Sequence, residues 1–255
     1  MKTFTSWQPP VLWRAAMMLG RGLTRLLSRL EVTGDTGYET GHGLILAVNH
    51  ISPFDPIALT AACSKRGIAP RFMAQEGLFT ARVIGPFMRH SGHIRVDRNK
   101  PTAAQALTDA HAALAEGSAV VVYPEGRIGL DPGLWPERGK TGTGRLAIAT
   151  GAQLIPVAIW GSHEVLPYAA PAGMWPMIWR NVRHRPTVRV HFGPPLDLSD
   201  VDSARPGVAQ RITDRLMDAI IEELIPLRAE EPETPRFVDP TRAPETRRSH
   251  RRIVS

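Results

Sequence analysis

Between residues 44 and 192, short apolar runs alternate with stretches where apolar residues recur every three or four positions. The runs at 44–49, 70–75, 93–96, 119–123, 154–160 and 187–192 have the length of strands. Several are apolar throughout, the pattern of strands covered on both faces. Helical periodicity marks 56–65, 78–89, 102–116, 142–150 and 208–227. This alternation predicts one α/β domain over residues 31–227, with a mixed or largely parallel sheet flanked by helices. No internal repeat or linker interrupts it.

The two ends differ from this body. Residues 1–30 read as an amphipathic helix that starts near Pro10, where proline suits a first turn. At 100° per residue, Arg14, Arg21, Arg25 and Arg29 share a sector about 80° wide. Leu12, Ala16, Leu19, Leu23, Leu27 and Leu30 occupy the opposite one. Two uses stay open: packing the leucines on the core, or lying in a membrane interface with the arginines among anionic headgroups. Trp7 and Trp13 suit the second. The arginines keep every apolar run below the ~20 residues of a membrane span. No apolar core with a small-residue cleavage site marks a secretory signal, so the expected location is the cytoplasm or the cytoplasmic face of the cell membrane. Residues 228–255 are rich in Pro, Glu and Arg and poor in large apolar residues, which predicts a disordered basic tail. Arg247, Arg248, Arg251 and Arg252 stand there with no acid among the last nine residues. Contact with an anionic surface and simple solubilisation both remain open for it.

Composition narrows the classes. A chain of 255 residues, 43% hydrophobic and 22% charged, excludes disorder as the main state. Lys+Arg number 31 against 24 Asp+Glu, a formal net charge of +7, which calls for an anionic partner: nucleic acid, a membrane surface or a phosphorylated substrate. Aromatic and basic residues do not interleave in the body, so no nucleic-acid partner is expected. The single cysteine, Cys63, excludes a disulfide framework and a four-cysteine zinc site. His90 and His93 have the spacing of a helical ligand pair, but the helix is predicted to end between them, and no metal is expected.

Candidate chemistry clusters where strands end, the edge at which open α/β sheets place ligands. Asn49-His50-Ile51-Ser52-Pro53-Phe54-Asp55 joins a strand to a helix. Across that turn His50 and Asp55 can pair, the carboxylate fixing the tautomer and raising the basicity of an imidazole that takes a proton from a hydroxyl. Asp55 could equally cap the helix that starts at Pro56. Tyr123-Pro124-Glu125-Gly126-Arg127 follows another apolar strand, with a glycine that admits close approach and an arginine suited to phosphate, or forms only a turn. In Gly92-His93-Ile94-Arg95-Val96-Asp97-Arg98-Asn99 the two arginines, an odd number apart, cannot share a strand face. One is expected at the site and the other on an acid or in solvent. Gly139-Lys140-Thr141-Gly142 lacks the strand and the earlier glycine of a phosphate loop, and no G-x-S-x-G elbow is present.

Taken in order, these pieces resemble the glycerolipid acyltransferase family that contains the lysophosphatidic acid acyltransferases. Asn49-His50 with Asp55 resembles its first block, Gly92 to Arg98 its second, Tyr123-Pro124-Glu125-Gly126 its third and Leu154-Ile155-Pro156-Val157 its fourth. Lys140-Thr141-Gly142 resembles the lysine-glycine step between the last two. The likeness spans roughly residues 30–165. It implies that His50 is a general base oriented by Asp55. It also implies that Arg98, Glu125 and Gly126 bind the phosphate-bearing acceptor, with Arg95, Arg127 and Lys140 nearby. An acyl thioester, acyl-CoA or acyl carrier protein, is the implied donor, a lysophospholipid the acceptor, an anionic membrane the partner surface, and no cofactor is called for. Lysophosphatidate is the first acceptor implied, with glycerol 3-phosphate or another lysophospholipid as alternatives. A basic binding module without enzymatic activity is the reading outside this class. Two departures, Arg127 standing where the family carries a small hydroxyl residue and Arg95 where it often has an aromatic, bear on acceptor identity more than on reaction type.

Overall fold

The computed structural model describes residues 7–35, 43–97, 103–169 and 174–250. Its centre is a seven-stranded sheet. In chain order the strands are β1 (Arg29–Gly34), β2 (Leu44–Val48), β3 (Pro70–Gln75), β4 (Ile94–Val96), β5 (Ala119–Val122), β6 (Gln153–Trp160) and β7 (Thr187–Phe192). Across the sheet the order is β1-β7-β6-β2-β5-β3-β4, and every neighbouring pair is parallel except β6 with β7. The carboxyl ends of β2 to β6 therefore share one edge.

Helices cover both faces. β2 is buried along its whole length because alternate side chains enter different cores. Leu44, Leu46 and Val48 pack with Trp13, Met17 and Leu27 of α1 (Val11–Leu27) and with Ala58, Leu59 and Ala62 of α2 (Asp55–Lys65). Ile45 and Ala47 pack with α5 (Ala103–Ala115), α6 (Gly142–Thr150) and α8 (Val208–Leu227). The short helices α3 (Glu76–Thr80) and α4 (Ile84–His90) divide a stretch whose periodicity predicts one helix. One further helix, α7 (Met174–His184), packs on α1.

Two features depart from the sequence reading, and one leaves it open. α1 ends at Leu27, and Arg29 and Leu30, expected on that helix, open β1, which runs beside β7. α1 does not choose between its two open uses. Trp13, Met17, Thr24 and Leu27 are buried, and the Trp13 indole donates to the Pro70 carbonyl (3.0 Å), while Val11, Leu12, Met18, Leu19 and Leu26 are exposed. Residues 228–250, where composition predicts disorder, lie against the body in turns and extended chain, with Arg228, Glu231 and Asp239 buried. Residues 251–255 lie outside the described residues. Among the described residues no helix is long and apolar enough to cross a membrane, and no cluster of His, Cys, Asp and Glu is arranged to hold a metal ion.

Candidate active site

The site forms where β2, β5 and β6 end side by side. After β2, the buried side chain of Asn49 bridges to β6, donating to the Ile159 carbonyl (3.0 Å) and accepting from its amide (2.8 Å). This side chain continues the strand pairing by one residue, so the backbone is fixed just where His50 leaves the sheet. The His50 carbonyl accepts from the Gly129 amide (2.7 Å), and its own amide donates to Glu125 Oε1 (2.8 Å). Its ring stacks on Tyr123, with centroids 4.0 Å apart and planes 20° from parallel.

Asp55 opens α2 but does not cap it, since no side chain bonds the first amides of that helix. Its carboxylate turns back instead. Oδ2 accepts from the Ile51 amide (2.7 Å), the Ser52 amide (2.8 Å) and His50 Nδ1 (2.8 Å). Oδ1 accepts from the buried Ser162 hydroxyl. Because an ionised carboxylate only accepts, the imidazole hydrogen is assigned to Nδ1, which leaves Nε2 with a free lone pair. The His50 side chain keeps 15% of its surface while Asp55 keeps none, so the pair is open on the histidine side only.

Glu125 is buried and spans two loops: Oε1 holds the His50 amide and Oε2 accepts from the Glu137 amide (2.8 Å). Burial is the main influence on its carboxyl and pushes it up to about 8; the Glu137 and Asp55 charges add, and the two amide donors oppose. The structure thus places Glu125 behind the histidine as a brace. Gly126 turns the chain at φ +72°, and a Cβ there would lie 2.9 Å from Lys140 Cε, so the lysine stem crosses directly over the glycine. The Lys140 amide donates to the Pro124 carbonyl (2.8 Å), which ties the two motifs together.

Two further cations expected at the site, Arg127 and Arg95, are placed differently. Arg127 forks onto buried Glu137 (3.0 and 2.9 Å) and also reaches Glu245 (2.8 Å). Arg95 pairs with Glu76 and Asp97 and lines a cavity of about 640 Å³ that none of His50, Asp55, Glu125 and Lys140 lines. Arg98 lies outside the described residues. Cys63 is fully buried in α2, and burial pushes its thiol up, so it offers no nucleophile. Sequence reasoning missed Ser162, which sits just past the end of β6; the strand-end rule that singled out His50 and Glu125 applies to it equally. It also missed two arginines from beyond α8: Arg242, which donates to the Ile51 carbonyl, and Arg248, which donates to the Glu125 carbonyl (3.1 Å).

Comparison with known proteins shows the family and the fold. The family model described as Acyltransferase matches residues 29–160. An uncharacterized protein of Mycobacterium leprae is 27% identical over a stretch covering 79% of this chain and 60% of that protein. The chain thus spans about three fifths of that relative's length. The 1-acyl-sn-glycerol-3-phosphate acyltransferase of Neisseria meningitidis is 28% identical over 70% of each chain. The crystal structure of the 1-acyl-sn-glycerophosphate (LPA) acyltransferase PlsC from Thermotoga maritima superposes with a TM-score of 0.59 at 22% identity, covering 83% of this chain and 78% of that one, a likeness of fold.

Proposed function

The chain belongs to the Acyltransferase family, and from that premise we propose that it esterifies the free hydroxyl of lysophosphatidate with a fatty acyl group from acyl-CoA or acyl carrier protein, giving phosphatidate. The observation that carries the reading is the His50–Asp55 pair at 2.8 Å, with the carboxylate also held by two amides and a hydroxyl. In this mechanism Nε2 takes the acceptor's hydroxyl proton as its oxygen attacks the thioester carbonyl. Asp55 stabilises the imidazolium that forms. When the tetrahedral intermediate collapses, the carbon–sulfur bond breaks and the departing thiolate takes the proton back from Nε2. The products are an ester and a thiol, and no enzyme nucleophile is required. Lys140, over Gly126, and Arg98 carry the acceptor phosphate in this reading.

The same proposal places the protein on the cytoplasmic face of the cell membrane. The outward residues of α1, with Leu19 74% and Val11 71% exposed, support it, as do the exposed Trp175 and Trp179 on the adjoining α7. Thiol release from acyl-CoA across lysophosphatidate, glycerol 3-phosphate and other lysophospholipids tests the acceptor. Turnover with lysophosphatidate well above the others supports the assignment, and a preference for another acceptor replaces it.

A further inference from the structure

The segment after α8 draws a closed path over the edge of the sheet that holds the site. Arg228 leaves α8 buried between the rings of Trp135 and Trp160, 3.9 and 4.4 Å from their centroids, and donates to the Gly133 carbonyl (2.7 Å). Asp239 and Thr241 accept from the amides of Tyr168 and Ala169, in the loop after β6 that also carries Ser162. Arg242 then binds the Ile51 carbonyl, one residue past His50. The Glu245 amide donates to the Leu130 carbonyl (2.9 Å), and Arg248 binds the Glu125 carbonyl and lies 3.5 Å from the Glu137 carboxylate. The path ends with Ser249 bridged to Glu137 and the His250 amide on the Pro136 carbonyl (3.0 Å).

We propose that residues 228–250 are a working part of the acyl-transfer site, and that Arg242 and Arg248 are positioning residues that hold the turn after β2 and the loop after β5 in register around His50. The inference rests on the reading of His50 as the base. Those two stretches approach through few backbone bonds, and each arginine fastens the carbonyl of a residue in or next to the catalytic constellation. Their charge fits as well. Asp55, Glu125 and Glu137 are three buried carboxyls in adjoining turns, and a cluster of that kind loosens unless cations face it. Arg242 faces Asp55 and Glu125 from the segment, along with Asp239 and Tyr168; Arg248 and Arg127 face Glu137. Both positioning arginines lie outside residues 29–160, the stretch that the family model matches. The site is therefore completed from outside the stretch that the family model matches.

The test uses the full chain carrying Arg242→Gln, Arg242→Lys, Arg248→Gln or His50→Ala, with thiol-release kinetics and amide hydrogen exchange on each. Displacements of about 1 Å cost up to ~10²-fold in rate. Accordingly Arg242→Gln and Arg248→Gln are expected to lower kcat about tenfold or more with both KM values within about twofold, and to speed exchange at residues 50–55 and 125–130. Arg242→Lys is expected to recover part of kcat. Unchanged kcat and unchanged exchange in both glutamine variants overturn the proposal, as does a loss of rate that merely follows the unfolded fraction. The His50→Ala arm separates the two readings. If that variant is inactive and the glutamine variants behave as wild type, the positioning role alone fails; if it is active, the base assignment fails and the positioning of His50 fails with it.

Discussion

Asp55→Asn separates what the carboxylate does for the fold from what it does for the chemistry. The native group accepts four hydrogen bonds, three on Oδ2 from Ile51, Ser52 and His50 and one on Oδ1 from Ser162. An asparagine can place its oxygen where Oδ2 stands and keep the first three, while its amide faces Ser162, whose hydroxyl can accept instead of donate. The shape survives, at the difference between charge-assisted and neutral hydrogen bonds, roughly 1 kcal/mol for each of the bonds kept. The negative charge does not survive. Unit charges about 4 Å apart at an effective dielectric near 20 attract by about 4 kcal/mol, so an imidazolium that forms during the reaction loses about that much stabilisation. That corresponds to a fall of about 10³ in kcat. The assay is thiol release from acyl-CoA with lysophosphatidate, paired with a thermal unfolding curve. A folded variant that keeps more than about a tenth of the wild-type rate would refute the claim that the charge of Asp55 serves the proton transfer.

Two other outcomes follow from the same structure. Glu125 holds its proton up to about pH 8 when folded, against a usual 4.5; between those values the folded state binds a proton that the unfolded state has lost, so stability falls as pH rises through this window, by up to about 1.4 kcal/mol per pH unit. Urea unfolding from pH 5 to 8 should therefore show a steeper decline for wild type than for Glu125→Gln, and parallel curves would contradict the assignment. On α1, Leu19 and Leu23 point outward while Trp13 and Met17 anchor the helix, so Leu19→Glu with Leu23→Glu should leave the melting temperature within a few degrees. Losing two leucines from an apolar interface, each ~1.5–3 kcal/mol, should weaken sedimentation with anionic liposomes by about 10²-fold; unchanged sedimentation removes α1 from the membrane face.

The central strands and the His50–Asp55 pair are legible in the sequence for one reason: the signal is local. β2, β5 and β6 are buried on both faces and read as unbroken apolar runs, and His50 and Asp55 are five residues apart across one turn. β1 is hidden because Arg29-Leu30-Glu31-Val32 continues the arginine and leucine alternation of the helix before it, and only pairing with β7 makes it a strand. α7 is masked by Pro176 and its tryptophans, which invite a reading as packing. Ser162, Arg242 and Arg248 reach their partners across 107, 191 and 123 residues, distances that no spacing rule spans. The last segment misleads for a different reason. Its composition lacks the apolar side chains that build a core, and it is held by ion pairs, backbone hydrogen bonds and an arginine between two indoles, contacts that hydropathy does not register. The excess positive charge divides accordingly. Arginines of α1 face outward, Lys140 lies at the site, and several of the rest neutralise buried acids inside the protein.

The most direct test of the account is the rate of thiol release by folded His50→Ala with acyl-CoA and lysophosphatidate. General-base assistance is worth ~10²–10⁴ in rate, so the account predicts a loss of at least about 10²-fold at an unchanged melting temperature. A folded His50→Ala protein that releases thiol at the wild-type rate would contradict it.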